Sequence, residues 1–262
     1  MILVKDFTPV SGQFERVMQQ QPRQETGTSA TFDVFLRSTF GIEPGSAIGR
    51  RLRELALPMS VAKGAIAPLD PSIPLLVYLV DGATKLVARA SRDREQIVAF
   101  YFGGDIVCVP GGKTHGYVLS ALRDSRLIVF PEKAFYDCAE QDPAMLRALL
   151  ERMERALHRC RDKTVGLGRK NAQERLASFL VAMAERMEMR EDGVCVLDLP
   201  MSRRDIGDSL GLTIETVSRQ FGELRAQGLL QTDGRYRVKL PDLLALENLA
   251  GHYSEETGIL DS

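Results

Sequence analysis

The 262-residue sequence has no tryptophan, three histidines, four cysteines and a formal net charge of −1. His115, His158 and His252 stand far apart, and no nucleophile or phosphate-binding motif accompanies them, so no catalytic constellation is present and an enzyme is not expected. Cys108, Cys138, Cys160 and Cys195 are dispersed without a Cys-x-x-Cys pair, which argues against both a zinc ribbon and a disulfide scaffold. Near-neutral charge gives no global attraction to polyanions, so any affinity for nucleic acid must be local. No apolar run approaches membrane-spanning length. The start, MILVKDFTPV, lacks the basic lead, long apolar stretch and small-residue cleavage site of a signal peptide. The expectation is a cytoplasmic protein without a membrane partner.

What is present is long enough for two domains, at 29.1 kDa with 44% hydrophobic and 26% charged residues. The most informative stretch is MSRRDIGDSLGLTIETVSRQFGELRAQGLL, residues 201–230. Ser202 is placed to cap a helix over 203–210, with Asp205 near the positive end of its dipole. Gly211 supplies a turn and Thr213 a second cap. Ile214, Val217, Phe221 and Leu224 then recur at helical spacing and are expected to face the core, leaving Glu215, Ser218, Arg219 and Gly222 outward. Gly207 stands where two crossing helices must come close. Residues 229–239 read as two short strands around Gly234, so the whole is predicted to be a winged helix-turn-helix. Residues 202–240 carry seven Lys/Arg against five Asp/Glu, a bias too mild to argue for DNA by itself.

Upstream, 172–189 is predicted as a helix with Leu176, Phe179, Leu180 and Met183 inward, and 194–199 as a strand. Residues 145–167 read as one long helix with an apolar stripe: Leu146, Leu149, Leu150, Met153, Ala156, Leu157 and Cys160. One face would have to serve both its own domain and a dimer partner. From 57 to 131 short apolar strands alternate with turn signals. Residues 75–80 are the clearest strand, Asp81-Gly82 reads as a hairpin turn, 85–90 and 96–102 as strands, and 91–95 as a charged turn; a closed all-β unit is expected. Residues 50–57 suggest a short helix. The first 40 residues, rich in polar glutamines, read as a poorly ordered tail with a short helix near 14–20.

The runs Arg169-Lys-Asn-Ala-Gln-Glu-Arg-Leu-Ala-Ser-Phe-Leu, Glu215-Thr-Val-Ser-Arg219 and Leu249-Ala-Gly-His252 resemble the Crp/Fnr transcription regulators, closest to the Fnr and FixK branch. The resemblance is strong over 143–253 and looser over 41–131. It implies an α+β fold: a cyclic-nucleotide-binding-type β-roll over 41–140 after the 1–40 tail, a dimerisation helix over 141–168, and a winged helix-turn-helix over 169–253. It also implies a homodimer that reads an inverted repeat of TTGAT-type half-sites and contacts RNA polymerase. Leu146, Leu149, Leu150, Met153, Leu157 and Cys160 would form the dimer seam.

The chemistry of base reading suits these side chains. Arg219 can bond guanine O6 and N7 together, Glu215 can accept from an exposed amino group such as cytosine N4, and Ser218 can do either. Glu215 can equally serve as an i,i+4 partner of Arg219. Thr213, Arg203 and Arg235 are candidates for phosphate contacts.

The sensory half departs from its relatives. After Gly104-Asp105 there is no Arg-Ser or Arg-Ala-Thr phosphate cassette, so cAMP dependence is not expected, although Lys113 could meet an anion. No cysteine precedes Cys108, which removes the N-terminal thiolates of an iron-sulfur sensor. Cys108 and His115 keep a haem reading open, but a buried cysteine and a loop histidine are the commoner outcome. Cys195, just before the helix pair, and Cys108 are the candidate redox thiols, without an obvious thiolate-stabilising neighbour. The alternatives are therefore a haem- or thiol-sensing regulator of the same fold, or a dimerisation module that binds no DNA.

Overall fold

The computed structural model describes residues 27–91, 94–112, 116–187, 189–191, 193–234 and 236–251. The chain divides into two units, Met1–Glu154 and Arg155–Ser262.

The first unit opens with helix α1 (Gly27–Phe35), continued by a π-helical turn (Leu36–Phe40) that Gly41 ends at φ 67°. Helix α2 (Ala47–Leu55) starts at Ser46, whose hydroxyl accepts from the Gly49 N–H at 3.0 Å. Seven strands follow: β1 (Leu57–Val61), β2 (Leu75–Asp81), β3 (Ala83–Ser91), β4 (Arg94–Phe102), β5 (Ile106–Val109), β6 (Gly116–Ala121) and β7 (Ser125–Pro131). They form two antiparallel sheets, in orders β1-β7-β2-β5 and β4-β3-β6. Apolar residues of both sheets, among them Val77, Leu79, Leu86, Leu119 and Val129, make a core between them.

The larger sheet is apolar on both faces. Leu75, Val77 and Leu79 of β2 join the inter-sheet core, whereas Leu76 and Tyr78, pointing oppositely as successive strand residues must, join a second core with Ile128 and Phe130 of β7. That second core is closed by α1, α2, helix α3 (Glu132–Ala139) and the start of helix α4 (Pro143–Arg169), through Phe32, Phe35, Leu36, Phe40, Leu52, Phe135, Met145 and Leu149.

Two expectations are corrected here. Residues 27–40 are not a tail, because an outer sheet face that bears Tyr78 and Phe130 must be covered, and Phe32, Phe35, Leu36 and Phe40 cover it. Phe35 stacks 4.3 Å from Tyr78 and 5.8 Å from Phe130, and Arg53 of α2 pairs with Asp33. The short helix expected near 14–20 lies outside the described residues. Asp81-Gly82 is not a hairpin turn: β2 and β3 belong to different sheets, and the chain crosses between them at Gly82, φ 92°. A side chain there would meet the Asp124 carbonyl and Ser125, whose hydroxyl accepts from the Ala83 N–H at 3.2 Å. The true hairpin is β3–β4, with Ser91 opposite Arg94.

The stripe on α4 also divides. Met145 and Leu149 are buried and Met153 packs partly on the same core, whereas Leu146 (37% exposed), Leu150 (59%), Leu157 (49%) and Cys160 remain outside. Neighbouring positions on a helix are about 100° apart, so one broad apolar arc supplies two faces.

The second unit begins within α4. Helix α5 (Ala172–Met187) buries Leu176, Phe179, Leu180 and Met183 as expected, but ends before 189, where a strand missed in the sequence begins. Strands β8 (Met189–Glu191) and β9 (Val194–Asp198) lead to helices α6 (Arg203–Leu210) and α7 (Ile214–Ala226), then to β10 (Gln231–Asp233), β11 (Arg237–Leu240) and helix α8 (Leu243–Leu249). The four strands form one antiparallel sheet, β10-β11-β9-β8.

Candidate nucleic-acid interface

Ser202 caps α6 by accepting from the Asp205 N–H at 3.2 Å, while the Asp205 carboxylate accepts from the Ser202 N–H at 2.8 Å, a reciprocal capping box. Gly211, at φ 65°, ends the helix, and Thr213 caps α7 by accepting from the Thr216 N–H at 3.2 Å. Gly207 is required for the crossing: an added Cβ would stand 2.6 Å from the Leu212 carbonyl oxygen.

On α7, Val217, Phe221 and Leu224 are buried and Glu215, Ser218 and Arg219 are exposed together on the opposite side. Ile214, expected in the core, is instead 38% exposed, one residue before Glu215. It opens the helix, and one turn before the first deeply buried position its apolar side chain has no layer to enter.

Glu215 does not pair with Arg219. Its own backbone N–H, then the Thr213 hydroxyl and nearby Arg204, hold its carboxyl below the ordinary carboxylate range, so it is an acceptor at neutral pH. Arg219 lies 3.7 Å from Glu223 instead, an exposed i,i+4 pair that costs little to open.

Of the phosphate candidates, Thr213 is the exposed cap of α7 and Arg235 lies outside the described residues. Arg203 is turned inward, with its guanidinium over the Phe221 ring; burial draws its pKa down to about 10, which leaves it charged at neutral pH. Its neighbour Arg204, passed over in the sequence reading, is exposed beside Glu215. Arg225 is also exposed, whereas Arg237 and Lys239 are engaged with Glu191 of β8 across the small sheet.

The thiols suit redox chemistry poorly. Cys195 is buried in β9, pairing in register with Leu240 and Arg190. Burial first, then the Glu132 carboxylate, push the Cys108 thiol up, away from the thiolate that oxidation and metal ligation need. Its sulfur rests 3.7 Å from the Met153 sulfur. His115 and Lys113 lie outside the described residues. Among the described residues no group of three or more His, Cys, Asp or Glu side chains could hold a metal ion. At Gly104-Asp105 the aspartate accepts from the Phe102 N–H at 2.8 Å, which closes a local turn. Among the described residues no helix is long and apolar enough to cross a membrane.

A capped helix pair, an outward polar face and a β-hairpin joined to a small sheet, with a two-sheet roll and a long helix elsewhere in the chain, define a winged-helix DNA-binding regulator. Residues 174–249 match the Crp-like helix-turn-helix domain. The chain is 34% identical to the transcriptional activator protein FnrL of Cereibacter sphaeroides over 181 residues, covering 68% of this chain and 73% of FnrL. It is 35% identical to the nitrogen fixation regulation protein FixK of Azorhizobium caulinodans, over 69% of this chain and 73% of that protein. The solved structure of FixK2 from Bradyrhizobium japonicum superposes with a TM-score of 0.66 at 32% identity, over 76% of this chain and 99% of FixK2. The chain belongs to the Crp/Fnr family, on its FixK branch; it is a DNA-binding transcription regulator and not an enzyme.

Proposed function

We propose that the protein acts in the cytoplasm as a homodimer, with α7 of each protomer reading one half of an inverted repeat of TTGAT-type half-sites. The observation that carries this is the shared exposure of Glu215, Ser218 and Arg219 on one side of a capped helix whose other side is core. Arg219 donates to guanine O6 and N7, Glu215 accepts an amino group, and Ser218 bonds between them. Ile214, the exposed apolar neighbour, suits a thymine methyl group. Thr213, Arg204, Arg225 and Arg235 meet the phosphates, and Arg203 supports Phe221 under the reading face. The exposed stripe of Leu146, Leu150, Leu157 and Cys160 on α4 supplies the dimer seam, with Leu149 and Met153 inside the first unit. Relatives named as activators support a contact with RNA polymerase. A sensory roll, a dimer helix and a winged helix divide the work.

A mobility-shift series tests the reading. The wild type is expected to retard a palindromic operator ahead of one mismatched at the guanine of each half-site, and Arg219→Ala is expected to abolish that preference while retaining weak general binding. Uniform loss across both DNAs would assign Arg219 to the backbone instead.

A further inference from the structure

The run 169–180 takes no part in base reading, yet it contains a densely bonded junction. Arg175, in the first turn of α5, spreads one guanidinium over three backbone carbonyls: Nη2 donates to Leu167 at 2.8 Å, Nε to Lys170 at 2.9 Å and Nη1 to Leu210 at 3.1 Å. Leu167 is in the last turn of α4 and Leu210 is the final residue of α6, so two of these acceptors are helix-end carbonyls with no donor in their own helix. Both helix dipoles turn their negative ends to the cation. A planar fork serves three such acceptors at once, and an ammonium cannot match that geometry.

A second tie lies alongside. Lys163 of α4 donates to the Ser209 hydroxyl of α6 at 3.0 Å, and Ser209 is buried. Between the two ties, Gly211 makes the turn at φ 65°, a left-handed conformation that favours glycine, with Leu167 and the Arg175 guanidinium beside it. The end of α6 and the turn into α7 are thus fastened to the last turns of α4.

We infer that Arg175, assisted by Lys163, is a positioning residue for DNA reading, holding α7 at a fixed angle to α4 so that the two reading helices of a dimer keep one spacing. The inference rests on the dimeric reading above. The end of α6 passes directly into α7 through residues 211–213, so a rotation at this junction displaces Arg219 from its base while leaving each helix pair folded.

The test uses full-length protein, wild type and Arg175→Lys, on three DNAs: the palindromic operator, the same operator with one half-site scrambled, and palindromes with one or two base pairs added at the centre. Arg175→Lys is expected to bind the palindrome about tenfold more weakly and the single half-site less than about twofold more weakly, because only simultaneous engagement of two sites depends on their geometry. Its preference for the natural spacing should also flatten. Proportional loss on all DNAs with an unchanged spacing preference, or wild-type binding throughout, would overturn the inference. If Arg175→Lys does not show a cooperative thermal melt, Lys163→Met, which cuts the second tie alone, carries the same comparison with the same two outcomes. A wild type with no preference for the palindrome over the half-site would instead defeat the dimeric reading, and this inference with it.

Discussion

At the scale of single residues, the reading face depends on which cations are engaged and which are not. Arg203, Arg237 and Lys239 are occupied within their own unit, so sequence counting overstated the charge available to DNA. Arg219, tied only to exposed Glu223, remains available. Replacing it by alanine is expected to cost about 1–3 kcal/mol of discrimination at one base pair per half-site, measured as the ratio of operator to mismatched affinity. A second residue gives a pH signature. Burial draws Lys163 from the ordinary lysine value to about 8, so between about pH 8 and 10.5 the unfolded chain binds a proton that the folded chain does not. Stability therefore rises with pH in that window as a charge penalty is relieved. Subtracting the Lys163→Met curve from the wild-type curve in urea titrations isolates this slope, which should be positive above pH 8 and absent near pH 6.

At the scale of elements, both helices of the DNA-reading pair were legible because their signals are local. Ser202, Gly207, Gly211 and Thr213 each do a job that one turn of helix defines, and α6 begins and ends where its cap and glycine place it. The elements that were misread depend on distant partners. Nothing within 27–40 announces that Phe35 meets Tyr78 and Phe130, residues more than 40 positions away, and the glutamines before it suggested a tail. Asp81-Gly82 carries a hairpin signature, but a glycine at positive φ serves equally to pass from one sheet to another, and only the pairing of β2 with β7 decides. Ile214 fits a helical apolar spacing, yet at the first turn of its helix it overhangs the core. Phe35→Ala, which empties the centre of this aromatic layer, is expected to destabilise the first unit by about 3–5 kcal/mol in denaturant unfolding. Leu157→Glu, on the exposed face of α4, should leave the fold within about 0.5 kcal/mol of wild type. It should nevertheless convert dimer to monomer in sedimentation equilibrium.

At the scale of the whole molecule, a net charge of −1 leaves the salt response of binding to the local cations near the reading helix. On the phosphate contacts proposed for Arg204, Arg225 and Arg235 in each protomer, a dimer would displace about six counterions, and log K should fall with log salt at a slope of about −5. A slope near −10 in titrations between 50 and 200 mM salt, on the order expected for a far more basic interface, would mean that residues engaged in the small sheet leave it on binding.

The first unit has one further property. Because the middle of β2 and of β7 is packed on both sides, that part of the larger sheet is a wall shared by two cores. A larger side chain placed at Val77, in the compartment between the sheets, is therefore expected to disturb both cores and not one. The aromatic compartment behind is the one that holds Met145 and Leu149, at the root of the long helix.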